Sequence, residues 1–354
     1  MTDYLIIKDP SSLDKNKWIN FVQSHPHGNI FQLPEMFTLY KSTYGNQPVF
    51  LGCLDNAGAL SGLIVGVIQG SKLPLVHSFT ARCIIWGGPL VEDNSAIITE
   101  LLLYELNKLF SKKTVYIEFR NLWDVTELKR SFINMNYQYE DHLNVLINLK
   151  KGKDLLWEGM HATRKKQIRR SNNRGCYVEV RDSLDQISLH KCFILLERTY
   201  KGAGLPFPAE IFFQNAFDQL KDKLIIKVFC AKFEGEIIAF RFVLAYKDVL
   251  YDWYAAGDRN HHDKYANDLL PWEILIWGIE NNYSIFDFGG AGKPNKKYGV
   301  RDYKMKFGGE LVNYGRYNKI NKPIIFQLGE KALKTFQYFK SISKQKKYAP
   351  KASV

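Results

Sequence analysis

Two hairpin signatures stand half the chain apart, and they constrain the fold more than any other feature of the sequence. Cys53-Leu54-Asp55-Asn56-Ala57-Gly58 and Cys230-Ala231-Lys232-Phe233-Glu234-Gly235 each place a cysteine five residues before a glycine, and an apolar strand follows both. A polar turn with glycine between two apolar runs reads as a β-hairpin. A second echo supports the first: Val115 to Arg120 and Ile285 to Gly290 are each a strand behind a helical pattern, ending in a charged or glycine turn. At 354 residues the chain can bury two cores of ordinary size. The expectation is two related modules packed side by side with a cleft between them. Helical patterns (Leu13 to Val22 with Ser12 as cap, the run from Pro34, Ser95 to Leu109, Lys153 to Arg174, Asp268 to Asn281) alternate with strands such as Asn144 to Leu149, which gives an α/β or α+β class. The boundaries drawn from this pattern are 1–150, 151–318 and a basic tail, 319–354.

Charge narrows the partners. A formal net charge of +13 favours an anionic one: nucleic acid, a phosphate-bearing substrate or a membrane surface. The five cysteines are widely spaced, odd in number and form no CxxC pair, so they read as buried thiols of a cytoplasmic protein. No signal peptide is expected at MTDYLIIKDP, and the longest apolar runs, such as Leu60 to Ile68, fall short of the roughly 18 residues of a membrane span.

Several chemistries are disfavoured by pattern. Gly289-Gly290-Ala291-Gly292-Lys293-Pro294 lacks the first glycine of a P-loop, where Asp287 stands, and its final Ser or Thr, where Pro294 stands. His261-His262-Asp263 has no second cluster to complete a metal site, so no metal is expected. There is no GxSxG elbow. Two stretches remain. In the helical run 161–174, Lys166, Arg170 and Arg174 stack at i, i+4 and i+8 with no acid between Glu158 and Glu179; this is either a solvated basic face or a site for phosphates. In the segment Tyr283 to Tyr317, a strand carrying Asp287 empties into glycines and then into Lys293, Lys296, Lys297, Arg301, Lys304 and Lys306 among Tyr298, Tyr303 and Phe307. A lysine held against aromatic rings can stabilise an oxyanion during acyl transfer. Read as a strand, the segment puts Tyr303 and Met305 on one face and Lys304 and Lys306 on the other, and as an ordinary edge strand its lysines would only guard against aggregation.

The basic helix before Gly175, the run Asn267-Asp268-Leu269-Leu270-Pro271-Trp272-Glu273, the FDFGGAGKPN turn and YKMKFGGELVNYGRY resemble the FemABX family of peptidoglycan-bridge aminoacyltransferases and its wider GNAT-related group. The resemblance spans most of the chain and is most specific between about 251 and 317. It implies two tandem GNAT-like modules, an aminoacyl-tRNA donor with no tightly bound cofactor, and a phosphate-bearing cell-wall precursor as acceptor. It implies that Lys304, preceded by Tyr303, is the catalytic residue stabilising the transition state. Tyr254 matches a substrate-contacting tyrosine, and Lys41 a phosphate-binding lysine. Tyr303, Asp287, Arg301 and Arg120, the last at the strand end of the first half, join them as candidate substrate-binding residues; Lys166, Arg170 and Arg174 are the candidate phosphate ligands. The segment Glu197 to Pro208 departs from the family, with Lys201 and Gly202 where a phosphate-binding arginine is expected.

The function expected is aminoacyl transfer to an amine of a peptidoglycan precursor. The alternatives are an acyl-CoA-dependent N-acyltransferase acting on a sugar or polysaccharide precursor, and a non-catalytic basic protein on membrane or nucleic acid. The last rests on the stretch Ile324 to Lys347, where apolar residues recur at helical spacing beside lysines; that helix packs on its own domain or on the inner membrane face.

Overall fold

The computed structural model describes residues 4–71, 73–223, 225–329 and 331–332. The first half runs through β1 (Leu5–Ile7), α1 (Lys15–Ser24), α2 (Pro34–Ser42), β2 (Asn46–Leu54), β3 (Leu60–Gln69), α3 (Pro74–Thr80), β4 (Arg82–Trp86), β5 (Leu90–Val91), α4 (Ala96–Phe110), β6 (Tyr116–Arg120), α5 (Lys129–Asn134) and β7 (Gln138–Glu140). Then come β8 (Leu143–Asn148), α6 (Gly152–Gly159), α7 (Ala162–Asn173), β9 (Tyr177–Arg181), α8 (Gln186–Ala203), α9 (Glu210–Leu220), β10 (Ile226–Phe233), β11 (Glu236–Tyr246) and β12 (Val249–Gly257). The chain continues through α10 (Ala266–Glu280), β13 (Ile285–Gly292), α11 (Gly299–Met305), β14 (Glu310–Asn313) and β15 (Arg316–Ile320).

The strands form two sheets of the same design. One has the order β1-β2-β3-β4-β6-β15-β7, with β5 beside β3; the other reads β9-β10-β11-β12-β13-β8-β14. Each contains a single parallel step, β4 with β6 and β12 with β13, among antiparallel neighbours. The two hairpin signatures are β2–β3 and β10–β11, and the two echoing strands are β6 and β13, so the internal repeat is a repeat of topology. The hairpin turns work locally: Gly58 has φ +74° and Gly235 φ +81°, which glycine adopts without strain.

What the repeat did not foretell is an exchange. The strand expected at 144–149 to finish the first half, β8, instead pairs with β13 and β14 in the second sheet. Reciprocally, β15 from the chain's last third inserts between β6 and β7 in the first. Each module therefore ends in an arm that crosses to its neighbour, through Asp141 and His142 on one side and Tyr314 and Gly315 on the other. The crossings touch: Gly315 N donates to His142 O at 3.3 Å, and His142 N to Asn313 Oδ1 at 3.0 Å.

Three cores follow from this layering. Leu102, Leu106, Phe119 and Phe132 pack under α4 and α5 on one face of the first sheet, and Ile168, Leu269, Ile274 and Phe288 under α7 and α10 on one face of the second. Between the sheets a third core joins α1 and α2 to α8 and α9, through Trp18, Leu39, Phe213 and Phe217 among others. Buried Glu35 of α2 receives Lys223 Nζ at 2.5 Å and Lys15 Nζ at 3.2 Å, tying the modules by charge as well.

Two local expectations are corrected. The helix foreseen from Lys153 to Arg174 is broken at Met160, which is buried and extended (ψ 140°), and His161 N donates to Lys306 O at 3.0 Å across the break. The cap of α1 is Asp14 rather than Ser12: its carboxylate accepts from Asn16 N and Lys17 N. Residues 323–329 are helical, but most of the amphipathic stretch Ile324 to Lys347 lies outside the described residues. Among the described residues no helix is long and apolar enough to cross a membrane.

Candidate active site

The parallel step of the second sheet splits open. β12 and β13 pair only through Val249↔Ile285, Leu250↔Phe286 and Tyr251↔Asp287, although β12 runs on along β11 to Gly257 and β13 along β8 to Gly292. Past Tyr251 and Asp287 the facing edges diverge, and backbone groups there need partners from elsewhere. Lys304 supplies them, since its Nζ donates to Phe288 O and, at 3.1 Å, to Gly290 O. An ammonium has three donors, so one is left. A Cβ on Gly289 would stand 3.6 Å from Lys304 Nζ and 3.8 Å from Asp252 O, and its φ of +78° favours glycine in any case. Lysine, β12 and β13 thus converge on one small residue.

Lys304 arrives there from a helix. The expected strand at Tyr303 to Lys306 is the end of α11, started by Arg301 N→Tyr298 O at 3.0 Å and closed at Gly308, whose φ is +85°. Helical geometry sends consecutive residues about 100° apart. Tyr303 accordingly turns to the α7–α10 side, where its hydroxyl donates to Asn267 O, and Lys304 turns into the split. Arg164 of α7 lies 4.8 Å over the Tyr303 ring and pairs with Asp268 of α10.

The charges around Lys304 are mostly buried. Arg241 Nη1 and Asp252 Oδ2 are 2.5 Å apart with side chains 7% and 8% exposed, and the Arg241 guanidinium lies 5.1 Å over the Phe288 ring. Burial raises the Asp287 carboxyl to about 6, although the Gly289 N–H at 2.8 Å, Lys304 and Asn144 favour its ionised form. Burial likewise lowers the Lys304 ammonium to about 8, with Asp252 and Asp287 acting against that shift and Arg241 with it. An acid and a base have been moved toward neutrality from opposite sides, which is the pattern of groups suited to proton transfer and charge stabilisation.

A cleft of about 310 Å³ opens between the modules at this point. Phe31, Tyr40, Trp86 and Arg120 wall it from the first half; Phe212, Tyr251, Asp252, Tyr254, Asp287 and Gly289 from the second; His142, Asn144, Gly315 and Arg316 from the crossing arms. Of the residues expected from sequence, Tyr254, Asp287 and Arg120 are in this wall, Lys304 is in the split beside it, and Tyr303 packs behind. Arg301 is placed elsewhere, its guanidinium holding the loop carbonyls of Lys293 at 2.9 Å, Pro294 and Lys296. Lys41 is exposed at the end of α2, outside the wall, while its neighbour Tyr40 is inside it. Lys166, Arg170 and Arg174 are exposed on α7 and do not reach the cleft. Relief for that basic face comes from the turn that precedes α10: Arg174 bonds Asp263, with Oδ2 at 3.4 Å, and Arg170 and Arg174 lie 6.0 and 5.4 Å from the Tyr265 ring.

Sequence reasoning missed Arg241, Asp252, His142, Arg316 and Glu118. A signal existed for two of them. Arg241 is the lone charge inside the apolar strand EIIAFRFVLAY, and a buried charge needs a partner, which the acid of YDWY provides. His142 and Arg316 meet only because the arms cross, which no local pattern records. Among the described residues no group of three or more His, Cys, Asp or Glu is arranged to hold a metal ion.

Residues 160–305 match the family described as "Acetyltransferase (GNAT) domain". No curated protein sequence matches the chain. Solved structures share the fold over nearly its whole length. FemX is 16% identical, covers 89% of this chain and 98% of its own, and superposes with a TM-score of 0.68. L-PGS from Bacillus licheniformis is 16% identical over 87% of this chain and 92% of its own, TM-score 0.57. A tandem GNAT protein from the clavulanic acid biosynthesis pathway is 9% identical over 90% and 99%, TM-score 0.57. At these identities the likeness is one of fold: two tandem GNAT-like modules, of the FemX kind, with the matched acetyltransferase domain in the second.

Proposed function

We propose that this tandem GNAT chain is an N-acyltransferase that moves an aminoacyl group from aminoacyl-tRNA to an amine of a phosphate-bearing peptidoglycan precursor. The observation that carries the reading is the ammonium of Lys304, wedged in the split of the second sheet at the wall of the inter-module cleft, with Asp287 across from it. The acceptor amine attacks the ester carbonyl of the donor while the free N–H of Lys304 faces the oxyanion as it forms; Asp287, ionised, takes the proton that the amine loses, and as the oxyanion collapses the acyl C–O bond to the tRNA ribose breaks and that oxygen leaves as the hydroxyl with the proton from Asp287. Phe31 gives the cleft an apolar wall, and Tyr251 and Tyr254 add rings with polar tips, suited to holding a flexible substrate in place. The sequence resemblance between about 251 and 317 supports an aminoacyl donor over acyl-CoA.

The pH profile tests the assignment of roles. At saturating substrates, turnover is expected to rise as Asp287 loses its proton near 6 and to fall as Lys304 loses its own near 8, because the base must be ionised and the oxyanion donor charged. A rate flat from about pH 5 to 9 would remove both roles.

The donor is tested by ligand-induced stabilisation. A stable aminoacyl-tRNA analogue at about 100 times its Kd is expected to stabilise the protein by about 2.7 kcal/mol, and acyl-CoA at the same concentration to leave the melting temperature unmoved. The opposite ranking would transfer the reading to the acyl-CoA-dependent alternative.

A further inference from the structure

Where the two arms cross, the cleft wall carries a cluster that the mechanism above does not use. Glu118 of β6 bridges two arginines: Arg120 Nε is 2.6 Å from Oε1, and Arg316 Nη1 of β15 is 3.2 Å from Oε2. Arg316 Nη2 also donates to His142 Nε2 at 2.8 Å. That bond makes the ring nitrogen an acceptor, so His142 is neutral and its proton sits on Nδ1. Burial and the adjacent Arg316 push its ring down to about 4, which agrees. Two guanidinium groups therefore share one carboxylate, and the cluster keeps one uncompensated positive charge.

The surplus faces the cleft. Arg120 stacks 4.9 Å over the Trp86 ring, and its two Nη groups have no hydrogen bond among the described residues. Arg316 is lowered by burial first and by Arg120 next, the signature of two cations held closer than they would choose. Next to Arg120, the Asn121 side chain is buried and lines the same cleft; its Nδ2 donates to Tyr314 O at 2.8 Å, but its Oδ1 has no partner. An unpaired buried acceptor beside unpaired guanidinium donors describes the complement of a ligand: an oxyanion with a hydrogen-bond donor next to it.

We infer that Arg120 and Arg316 form an oxyanion subsite of the cleft, taking a carboxylate or phosphate group of the substrate, with Asn121 accepting from an adjacent N–H or O–H. The place of the subsite limits the substrate further. His142 Nε2 would stand 3.1 Å from a Cβ on Gly290, whose carbonyl holds Lys304, so the oxyanion subsite and the split are two ends of one short path. The inference rests on the acyl-transfer reading for its role but not for its existence. It predicts an acceptor with its anionic group only a few bonds from the amine that is acylated.

Binding without turnover tests it. Glycylglycine carries a carboxylate beside an amide N–H; glycylglycine amide lacks the charge; inorganic phosphate has the charge from another source. Each is titrated against the full chain, following the fluorescence of Trp86 by difference from Trp86→Phe, and in parallel by calorimetry. Glycylglycine or phosphate is expected to bind and the amide not to; which of the two binds identifies the source. Arg120→Met keeps the stacking on Trp86 and leaves Glu118 and Arg316 as a balanced pair, so folding is preserved, and affinity is expected to drop about tenfold or more. Lys129→Gln, which removes an equal charge from exposed α5, is expected to change nothing. Equal binding by wild type and Arg120→Met, or no binding of either anion to the wild type, overturns the subsite. Anion binding intact in a protein that transfers no acyl group would instead refute the proposed function and leave the subsite standing.

Discussion

Replacing Lys304 by methionine is expected to lower turnover by at least about tenfold while leaving precursor binding almost unchanged, the behaviour of a group that acts only in the transition state. A factor of ten corresponds to about 1.4 kcal/mol, modest for a preorganised cation facing a developing negative charge. Methionine keeps the length and apolar stem that fill the split, so the change isolates the ammonium. The carbonyls of Phe288 and Gly290 lose their donor, and a small fall in melting temperature is expected beside the kinetic effect. The decisive readout is the alkaline limb of the pH profile. It belongs to Lys304, so it disappears in the variant while the limb near 6, due to Asp287, stays. Turnover equal to the wild type's would sink the assignment.

The largest effect on stability is expected at the Arg241–Asp252 pair. Asp252→Asn leaves the guanidinium buried without a counter-charge, a change that costs about 3–5 kcal/mol when one member of a buried pair is removed. In a chain of this size that lowers the melting temperature by roughly 4–7 °C. The pair also shapes the charge on Lys304, which Asp252 favours and Arg241 opposes. Losing Asp252 should therefore move the alkaline limb of the pH profile to lower pH. The double variant Arg241→Met with Asp252→Leu removes both charges and is expected to recover most of the lost stability. A single variant that melts within about 1 °C of wild type would show that water reaches the pair and that it is not the anchor of the split.

How much of this could be read from the sequence depended on how local the cause was. The hairpins at Gly58 and Gly235 were legible because the turn is made by residues next to one another, and their repetition disclosed the two-module plan. Helix α11 was misread because YKMKF is too short for its periodicity to separate strand from helix. Its state is set by the Tyr298 start and the Gly308 end. Arg164 was hidden among the cations of α7, since only the approach of Asp268 and Tyr303 decides which of them is withdrawn from water. Lys304 was singled out by resemblance; the structure added the reason a lysine there is unusual, which is the open backbone of the split. Arg316 and His142 could not be found at all, because their meeting depends on which sheet each arm joins.

That crossing has a consequence for how the protein is made. Among the described residues β7 pairs with β15 alone, and β15 is the strand that joins it to β6, so the first sheet has a gap until residues 316–320 leave the ribosome. At ordinary elongation rates the wait after β7 is roughly 10–35 s. The half that is synthesised first is thus among the last to be finished, and a nascent chain stalled anywhere in the second module exposes β6 as a bare edge. The same lacing means that no single break between residues 150 and 315 yields two complete sheets. Each piece would hold a strand its partner requires, so the natural unit of inheritance, expression and unfolding is the whole chain rather than the module.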